Sequence, residues 1–516
     1  MGAHRELPAL GARFLRLASL LALAGLVALA AVLALTAGLA EAPPLLALSA
    51  DVAPVQQPGM PWSAPAVLNP CPTGPSPQVV FPSDKPNRAT GAGAIVWSDS
   101  AHCPDGEGAR VAALSAGDEP LAPSTPHTAA GQAIAPQGPL VAAGAPHGEV
   151  LIGGSSPSAP ALGLLIQGPA GGPFAALEPP DGSTAPMALA TGYLGDAALA
   201  SPPARGAPDQ PGGRAGTGPN GLNVHVERFF AHEFVRNVTG RASGTAPIQA
   251  LTLAMDFRSE VLAVWVQGTT IYARLVPNKG RARAIQRLAS VGAHTQISAV
   301  LSDDERAIVA WSEQRGDETE VYVDRSAPGV RFASASSTGA SSIGACTGCG
   351  IPQLLERFRD PDGMLPPAAS PSLVRLSSES VMLAWAGAGA GRWVVRAAPV
   401  DLNGVGVLST IAAPGTDALL AHFTAGPVGD AMLLWTEPLP TAAGSPDMAR
   451  QAIFAARGFD NPQASSRFGA PEQLAPPASV SNPTVAIDPA SDRAVAVWRG
   501  EADAIEYSIR SATVTP

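Results

Sequence analysis

Several groups of residues have types and spacings that could do chemistry. His225-Val-Glu227-Arg-Phe-Phe-Ala-His232-Glu233 puts two histidines and two glutamates within nine residues. A zinc protease needs His-Glu-x-x-His on one helical face, so that both imidazoles reach one ion. Here the residue three after Glu233 is Arg236, and that motif fails. On a strand His225 and Glu227 would share a face, which is too few ligands for a defended metal site. Cys346-Thr-Gly-Cys349 has the spacing of a redox or metal motif but lacks a second pair and a βαβ context. With Cys71 and Cys103 the cysteines are even in number, and we expect the structural disulfides Cys71–Cys103 and Cys346–Cys349, other pairings remaining open.

Arginine recurs on one strand of a repeated unit, as Arg110, Arg274, Arg325, Arg396, Arg457 and Arg510. A ring of cations would suit an anionic glycan or a carboxylate. The simpler reading is a scaffold residue, repeated because the unit is repeated and paired with nearby Asp and Glu. Asp360-Pro-Asp362-Gly363 is a fragment of a calcium loop without the remaining ligands, and reads as a turn. Asp303, Asp304 and Glu305 read as a solvated turn, and Asn237-Val-Thr239 is a glycosylation sequon. No nucleophile elbow, phosphate-binding loop or paired-carboxylate motif occurs, so we expect no catalytic, cofactor or metal residue from local motifs.

The elements that would position these groups are strands. Arg493-Ala-Val-Ala-Val-Trp498 has close copies ending at Trp97, Trp265, Trp311, Trp385 and Trp435, six of the eight tryptophans. Glu149-Val-Leu-Ile-Gly-Gly154 and Asp196-Ala-Ala-Leu-Ala-Ser201 are weaker copies without the Trp. A strand with one wet face alternates apolar and polar residues, whereas Ala-Val-Ala-Val does not, so both faces are expected to be buried. The last unit reads as strand 483–488, a turn, strand 493–498, a turn, and strand 504–510; the unit before it adds a fourth strand near 467–474. Four short antiparallel strands per unit, recurring every 46 to 74 residues, predict an all-β β-propeller of seven or eight four-stranded blades. Trp62-Ser-Ala-Pro-Ala-Val-Leu68 matches Phe468-Gly-Ala-Pro-Glu-Gln-Leu474, so residues 61–68 are expected to pair with the C-terminal blade and close the ring. Closure removes an exposed sheet edge. Insertions fall at 205–221, 336–368 and 438–449, with a single expected helix at Gln353–Phe358 inside the second.

Composition narrows the function classes. The net charge is −10, and only Lys85 and Lys279 of the 32 basic residues are lysine, which argues against nucleic-acid binding. Gly and Pro make about a fifth of the chain, rich in turns but short of low complexity. Arg5, Arg13 and Arg16 precede an uncharged apolar stretch at 17–40, ending in small residues. That is a secretory signal cleaved after Ala40, or, being long enough to span a bilayer, an uncleaved anchor. Either places the rest of the chain outside the cytoplasm. Residues 41–60 are a Pro/Ala-rich linker, and 61–516 the propeller domain.

With the Gly/Asp turn and the Ala-Val-Ala-Val-Trp strand in place, the units resemble the degenerate blade repeats of bacterial exported β-propeller proteins, over about residues 61–516. They do not carry the WD-repeat signature. Ser302-Asp-Asp-Glu-Arg-Ala-Ile-Val-Ala-Trp311 and Ser491-Asp-Arg-Ala-Val-Ala-Val-Trp498 depart from the sialidase Asp-box in spacing and lack its Gly. We expect an exported, monomeric, non-enzymatic scaffold that binds a protein, peptide or glycan, and that meets a membrane only through residues 17–40 if these stay attached. The competing expectations are a sialidase-like hydrolase or lyase acting on carbohydrate, and a structural envelope protein.

Overall fold

The computed structural model describes residues 62–510, apart from stretches of which the longest are 82–92, 178–187, 202–221, 333–348 and 360–369. Contacts divide the chain into Met1–Pro58, which lies outside the described residues, and Gly59–Pro516. The described elements of the second unit are all strands, arranged in eight antiparallel sheets.

A first strand, β1 (Ala66–Asn69), precedes sheet 1, which is β2 (Gln78–Val80), β3 (Ala94–Asp99) and β4 (Gly108–Ala113). Sheet 2 is β5 (Gln137–Gly144), β6 (Glu149–Ser156), β7 (Ala159–Pro169) and β8 (Ala175–Leu177). Sheet 3 is β9 (Ala188–Thr191), β10 (Ala197–Ser201), β11 (Leu222–Glu227) and β12 (Phe234–Thr239). Sheet 4 is β13 (Ile248–Met255), β14 (Val261–Gln267), β15 (Thr270–Val276) and β16 (Gln286–Ser290). Sheet 5 is β17 (Ala293–Leu301), β18 (Ala307–Arg315), β19 (Glu318–Arg325) and β20 (Gln353–Arg359). Sheet 6 is β21 (Ser372–Arg375), β22 (Val381–Gly389), β23 (Arg392–Val400) and β24 (Ser409–Thr410). Sheet 7 is β25 (Leu419–Ala425), β26 (Asp430–Pro440), β27 (Pro446–Phe459) and β28 (Glu472–Ala478). Sheet 8 is β29 (Ser481–Ile487), β30 (Ala494–Arg499) and β31 (Ile505–Arg510), with β1 paired antiparallel to β31 as its fourth strand. Trp62 bridges to Arg510 just ahead of that pairing.

The apolar second strands lose both faces to protein. Every residue of β3 and of β14 is buried. On β30 the alternation of side chains divides the strand between two neighbours. Ala494, Ala496 and Trp498 pack with Met432, Leu434 and Ile453 of sheet 7, while Val495 and Val497 pack with Ile95 and Trp97 of sheet 1. Trp265 likewise packs with Ala198 and Ala200 of sheet 3. The six repeat tryptophans are among the largest fully buried side chains of the chain. At roughly 25 cal/mol per Å² over the 150–250 Å² of an indole, each is worth about 4–6 kcal/mol as an upper estimate.

First strands meet first strands in succession. β2 lies against β5, β5 against β9, β9 against β13, β13 against β17, β17 against β21, β21 against β25, β25 against β29, and β29 against β2. The turns between first and second strands repeat one local solution. Ser259, Glu305 and Asp492 each take a positive φ near +60° just before the second strand begins. Asp256 Oδ1 accepts the N–H groups of Arg258 (2.9 Å) and Glu260 (2.8 Å), and the Asp488 carboxylate accepts those of Ala490 (3.0 Å) and Ser491 (3.1 Å). Short acids fix the turn from inside.

Two expectations are corrected. The expected helix at Gln353–Phe358 is strand β20, in register with β19 (Glu318 opposite Arg359, Glu320 opposite Arg357). Its Leu354, Leu355 and Phe358 mimic a helical spacing, but only Phe358 is buried, edge-on to Trp393 with ring centres 5.6 Å apart. Within the expected insertion 438–449 the β26–β27 ladder continues across a register shift at Pro438/Leu439, and residues 441–445 lie outside the described residues. Asp303 and Glu305 are not merely solvated: Asp303 pairs with Arg375 of sheet 6, and Glu305 lies 4.0 Å from Arg258 of sheet 4. The insertion 205–221 lies outside the described residues, as do 333–348 and 360–369 of the segment 336–368.

Candidate functional site

The Trp position closes in two ways. In the first, the indole N–H meets a carboxylate. Trp97 Nε1 donates to Asp99 Oδ1 (2.8 Å), and Asp99 Oδ2 accepts Arg110 Nε (2.7 Å). Trp385 Nε1 donates to Glu356 Oε2 (2.7 Å), and Glu356 Oε1 accepts Arg396 Nε (3.1 Å). Trp435 and Trp498 donate to Glu437 and Glu506, both at 2.8 Å. The acid comes either from two residues past the Trp (Asp99, Glu437) or from elsewhere, and then glycine holds that position. A Cβ on Gly387 would fall inside the Glu356 carboxylate, and one on Gly500 inside that of Glu506.

In the second way, the Trp stacks on the tyrosine directly opposite it. Trp265 and Tyr272 have ring centres 5.6 Å apart, and Trp311 and Tyr322 5.3 Å. Both of these indole N–H groups are buried with no acceptor among the described residues. Beside Trp311, Glu313 and Glu320 face each other across β18 and β19. Like charges directly opposite are costly, and donors hold them: Arg315 reaches both (3.0 and 3.4 Å), Arg357 bonds Glu320, and the Gly292 N–H bonds Glu313. Tyr322 donates to Glu320 Oε2 (2.6 Å). Burial and that hydrogen bond push the phenol up to about 12, so it stays protonated and a poor nucleophile.

The third-strand arginines do not form one ring. Arg110 and Arg396 stand directly opposite a repeat Trp, whereas Arg274, Arg325, Arg457 and Arg510 stand opposite Ala263, Ile308, Met432 and Ala494. Four of the six hold a carboxylate: besides Arg110 and Arg396, Arg457 takes Asp430 (2.8 Å) and Asp492 of sheet 8 (2.6 Å), and Arg510 takes Glu472 of sheet 7 through both oxygens (3.0 Å each). Arg325 donates to the Asp401 carbonyl (3.2 Å), beside Asp324, whose carboxyl burial pushes up to about 7. Arg274 donates to the carbonyls of Arg283 (2.6 Å) and Ala282 (3.4 Å). Its Nη1 is buried without a partner, and burial lowers its pKa.

Polar side chains that the sequence did not single out clip neighbouring first strands together. Gln78 donates to the Leu140 carbonyl (2.7 Å) and accepts the Ala142 N–H (2.8 Å). Gln296 accepts from Ser370 (2.9 Å), Ser298 from Leu373 (3.0 Å) and His422 Nδ1 from Val485 (3.3 Å). Thr484 donates to the Pro77 carbonyl, joining sheet 8 to sheet 1 (3.0 Å). Burial lowers His422 to about 4, which keeps Nδ1 available as an acceptor. At the same seam Asp118 accepts from Ser491 Oγ (3.1 Å) and lies 3.7 Å from Arg493; burial, then Asp488, push it up to about 6. No motif marks these residues, because each acts across a junction between distant segments.

The units without the Trp differ from each other. At Gly154 the space is taken: a Cβ there would lie 2.8 Å from Leu140 Cδ2 and 3.0 Å from Pro136. Sheet 2 is therefore filled by other residues rather than opened. In sheet 3, which ends its second strand at Ser201, the residues packed against sheet 4 are Ala188, Ala190, Ala198 and Ala200. His225 and Glu227 lie on β11 and the sequon on β12, while His232, Glu233, Asp360 and Asp362 are outside the described residues. Neither Cys103 nor Cys349 is a free thiol; Cys71 and Cys346 are outside the described residues.

No family model and no curated protein matches the chain. Among solved structures it is similar to a protein of unknown function from Dyadobacter fermentans, with 11% identity over 66% of this chain and 98% of that one, TM-score 0.33. It is also similar to the polysaccharide lyase Uly1 (13% identity, 75% and 92% coverage, TM-score 0.39). A third is the fucose-specific lectin from Aleuria aurantia (10% identity, 64% and 96% coverage, TM-score 0.31). At these scores the likenesses carry no argument about what this chain does.

Proposed function

We propose that residues 61–516 form a closed eight-bladed propeller, completed by β1 in sheet 8, and that the chain is an exported monomer that binds a glycan without transforming it. The observation that carries this reading is the commitment of the junction acids. Asp99, Glu356, Asp430 and Glu472 each hold an arginine, and Glu437 and Glu506 each hold an indole N–H. Acids fixed in this way build a frame; they do not shuttle protons. Gln78, Gln296, Ser298, Thr484 and His422, half-buried on the first strands, each make one or two hydrogen bonds to the neighbouring sheet. Amides, hydroxyls and imidazole have further donor and acceptor capacity of the kind that exchanges hydrogen bonds with saccharides. Export follows from Arg5, Arg13 and Arg16 ahead of the apolar residues 17–40, and a compartment that permits disulfides suits Cys71–Cys103 and Cys346–Cys349.

A glycan array probed with the full chain should retain one glycan class, and mass spectrometry of the retained glycan should find it unchanged. An array with no retained glycan sinks the reading. Cleavage of the retained glycan would favour the hydrolase or lyase alternative, for which the observation to follow is the buried pair Glu313 and Glu320. Sequencing the N-terminus of secreted material separates a start near Glu41 from an intact Met1.

A further inference from the structure

We propose that the junction between sheets 3 and 4 binds an anionic oxygen group, a carboxylate or sulfate, through Arg274 and Trp265. That a saccharide carries the group rests on the glycan reading above; the anion site itself does not.

The argument starts from a mismatch within the repeat. Arg110, Arg396, Arg457 and Arg510 each have a carboxylate as the counter-charge that a guanidinium out of water requires. Among the described residues Arg274 has only carbonyls as partners. Those of Arg283 and Ala282 take Nε and Nη2, which fixes the plane of the guanidinium and leaves Nη1 buried without an acceptor. Carbonyl dipoles orient a cation but do not neutralise it.

A second donor lies on the same face. Trp265 stands opposite Tyr272, and Arg274 follows Tyr272 by two residues, so the period-two alternation of a strand puts Trp265, Tyr272 and Arg274 on one side of sheet 4. That side packs against Ala188, Ala190, Ala198 and Ala200 of sheet 3. Trp265 Nε1 is also buried without an acceptor. In sheets 1 and 6, where the arginine stands directly opposite the repeat Trp, one acid bridges the indole N–H and the guanidinium, as in Trp97–Asp99–Arg110 and Trp385–Glu356–Arg396. In sheet 4 the two donors share a face, with Arg274 one same-face position along β15 from Tyr272, and no acid among the described residues joins them. Arg274 is half-buried as a residue, although its Nη1 is not itself exposed. A carboxylate, or two oxygens of a tetrahedral sulfate, offers the two acceptors that a bridging Asp or Glu offers, and arginine suits either better than lysine because its donors lie in a fixed fork.

The test is isothermal titration and thermal shift on the full chain with sodium glucuronate, sodium sulfate and, as the neutral control, glucose. Glucuronate and sulfate should bind and raise the melting temperature, and glucose should do neither through this site. Arg274→Gln should weaken anion binding by about tenfold or more. Arg274→Lys, which keeps the charge and loses the fork, should weaken it by about threefold or more, and carries the test should Arg274→Gln fail to fold by circular dichroism. Arg392→Gln, which removes an exposed cation on sheet 6, should leave the affinity unchanged. Absence of anion binding, or binding unaltered by both Arg274 variants, overturns the proposal. Sulfate binding that depends on Arg274 in a chain that retains no glycan on an array supports the anion site and overturns the saccharide reading. Neutral glycans retained equally by wild type and Arg274→Gln, with no anion effect, do the reverse.

Discussion

Sheets 1 and 4 start from the same strand, an apolar run ending in tryptophan with an arginine on the strand beside it, and reach opposite charge balances. In sheet 1 the residue two past Trp97 is Asp99, which takes both the indole N–H and the Arg110 guanidinium; Arg110 completes its set with Thr125 and the Gly106 carbonyl (3.3 Å). In sheet 4 the equivalent residue is Gln267, whose amide donates to the Ala246 carbonyl (2.9 Å), and Trp265 is closed by Tyr272 instead. Stacking buries the indole as completely as the carboxylate does: both tryptophans are 0% exposed. What it does not do is neutralise a cation. The acids of sheet 4 sit in the turn between its first two strands, where Asp256 Oδ2 and Glu260 Oε2 are buried without donors. The repeat thus keeps volume more strictly than charge, and in sheet 4 the Arg274 guanidinium is left without an acid partner among the described residues.

The sharpest way to break this comparison is to make one substitution in both sheets. Arg110→Met removes a buried guanidinium from a closed set and leaves Asp99 with its charge uncompensated, a loss of about 3–5 kcal/mol. Arg274→Met removes a cation that has no counter-charge and replaces it with a flexible apolar chain, so the loss of two bonds to carbonyls is offset by relief of desolvation. The expected change is within about 1 kcal/mol of zero. Urea unfolding of the two variants measures both. Equal destabilisation would mean that Arg274 has a partner of the same worth as Asp99, and the contrast between the sheets would fail.

A smaller effect tests how the acid is delivered. In sheet 6 it arrives from β20 of the preceding sheet, and Gly387 leaves room for it. Gly387→Ala should push Glu356 away from Trp385 Nε1 and Arg396 and cost about 1–3 kcal/mol. Gly171→Ala, where the nearest atom to an added Cβ is 3.7 Å away, serves as the reference and should change stability by about 0.5 kcal/mol or less. If Gly387→Ala unfolds at the same denaturant concentration as Gly171→Ala, the position of Glu356 is not set by that space.

Much of the frame was legible in the sequence because it is written locally and repeatedly. A run such as Ala494-Val-Ala-Val-Trp498 carries its own evidence of two buried faces, and the match of Trp62–Leu68 to Phe468–Leu474 pointed to the pairing of β1 with β31. β20 was misread because Leu354, Leu355 and Phe358 satisfy a helical period, while the groups that hold it as a strand, Glu318 and Glu320, lie on another element. The junction residues were illegible for the same reason. Nothing near Glu356 says that it will bond Trp385, and nothing near Thr484 says that it will bond Pro77. The arginines were visible as a repeat, yet their separation into bridged and unbridged cases depends on strand register. Counting residues from the nearest Trp does not recover that register, since Arg110 and Arg396 stand opposite their Trp whereas Arg510, at an intermediate separation from Trp498, stands opposite Ala494.

The smallest expected effect concerns the acids of sheet 4. Asp256 is almost wholly buried, and burial pushes its carboxyl above the ordinary 3.8, against the pull of the Glu260 and Arg258 N–H groups and of the Arg258 charge; Asp303 pushes the same way as burial. The folded protein then holds this proton more tightly than the unfolded chain does. The stabilisation it gives is full below about pH 3.8 and is lost as the pH rises through the higher folded value, opposite in sign to an acid held by an arginine. Glu260 shifts in the same direction, by burial and then by Asp256, so the two add. Asp256→Asn keeps the Oδ1 acceptor for both turn N–H groups and fixes the side chain in a neutral form. It should flatten the fall in melting temperature between pH 4 and 7 and leave the pH 7 value equal to wild type or higher, by about 1 kcal/mol at most. A variant that melts lower at pH 7 with the wild-type slope intact would show that the Asp256 charge is balanced after all, and sheet 4 would then be closed in its own way, as sheet 1 is.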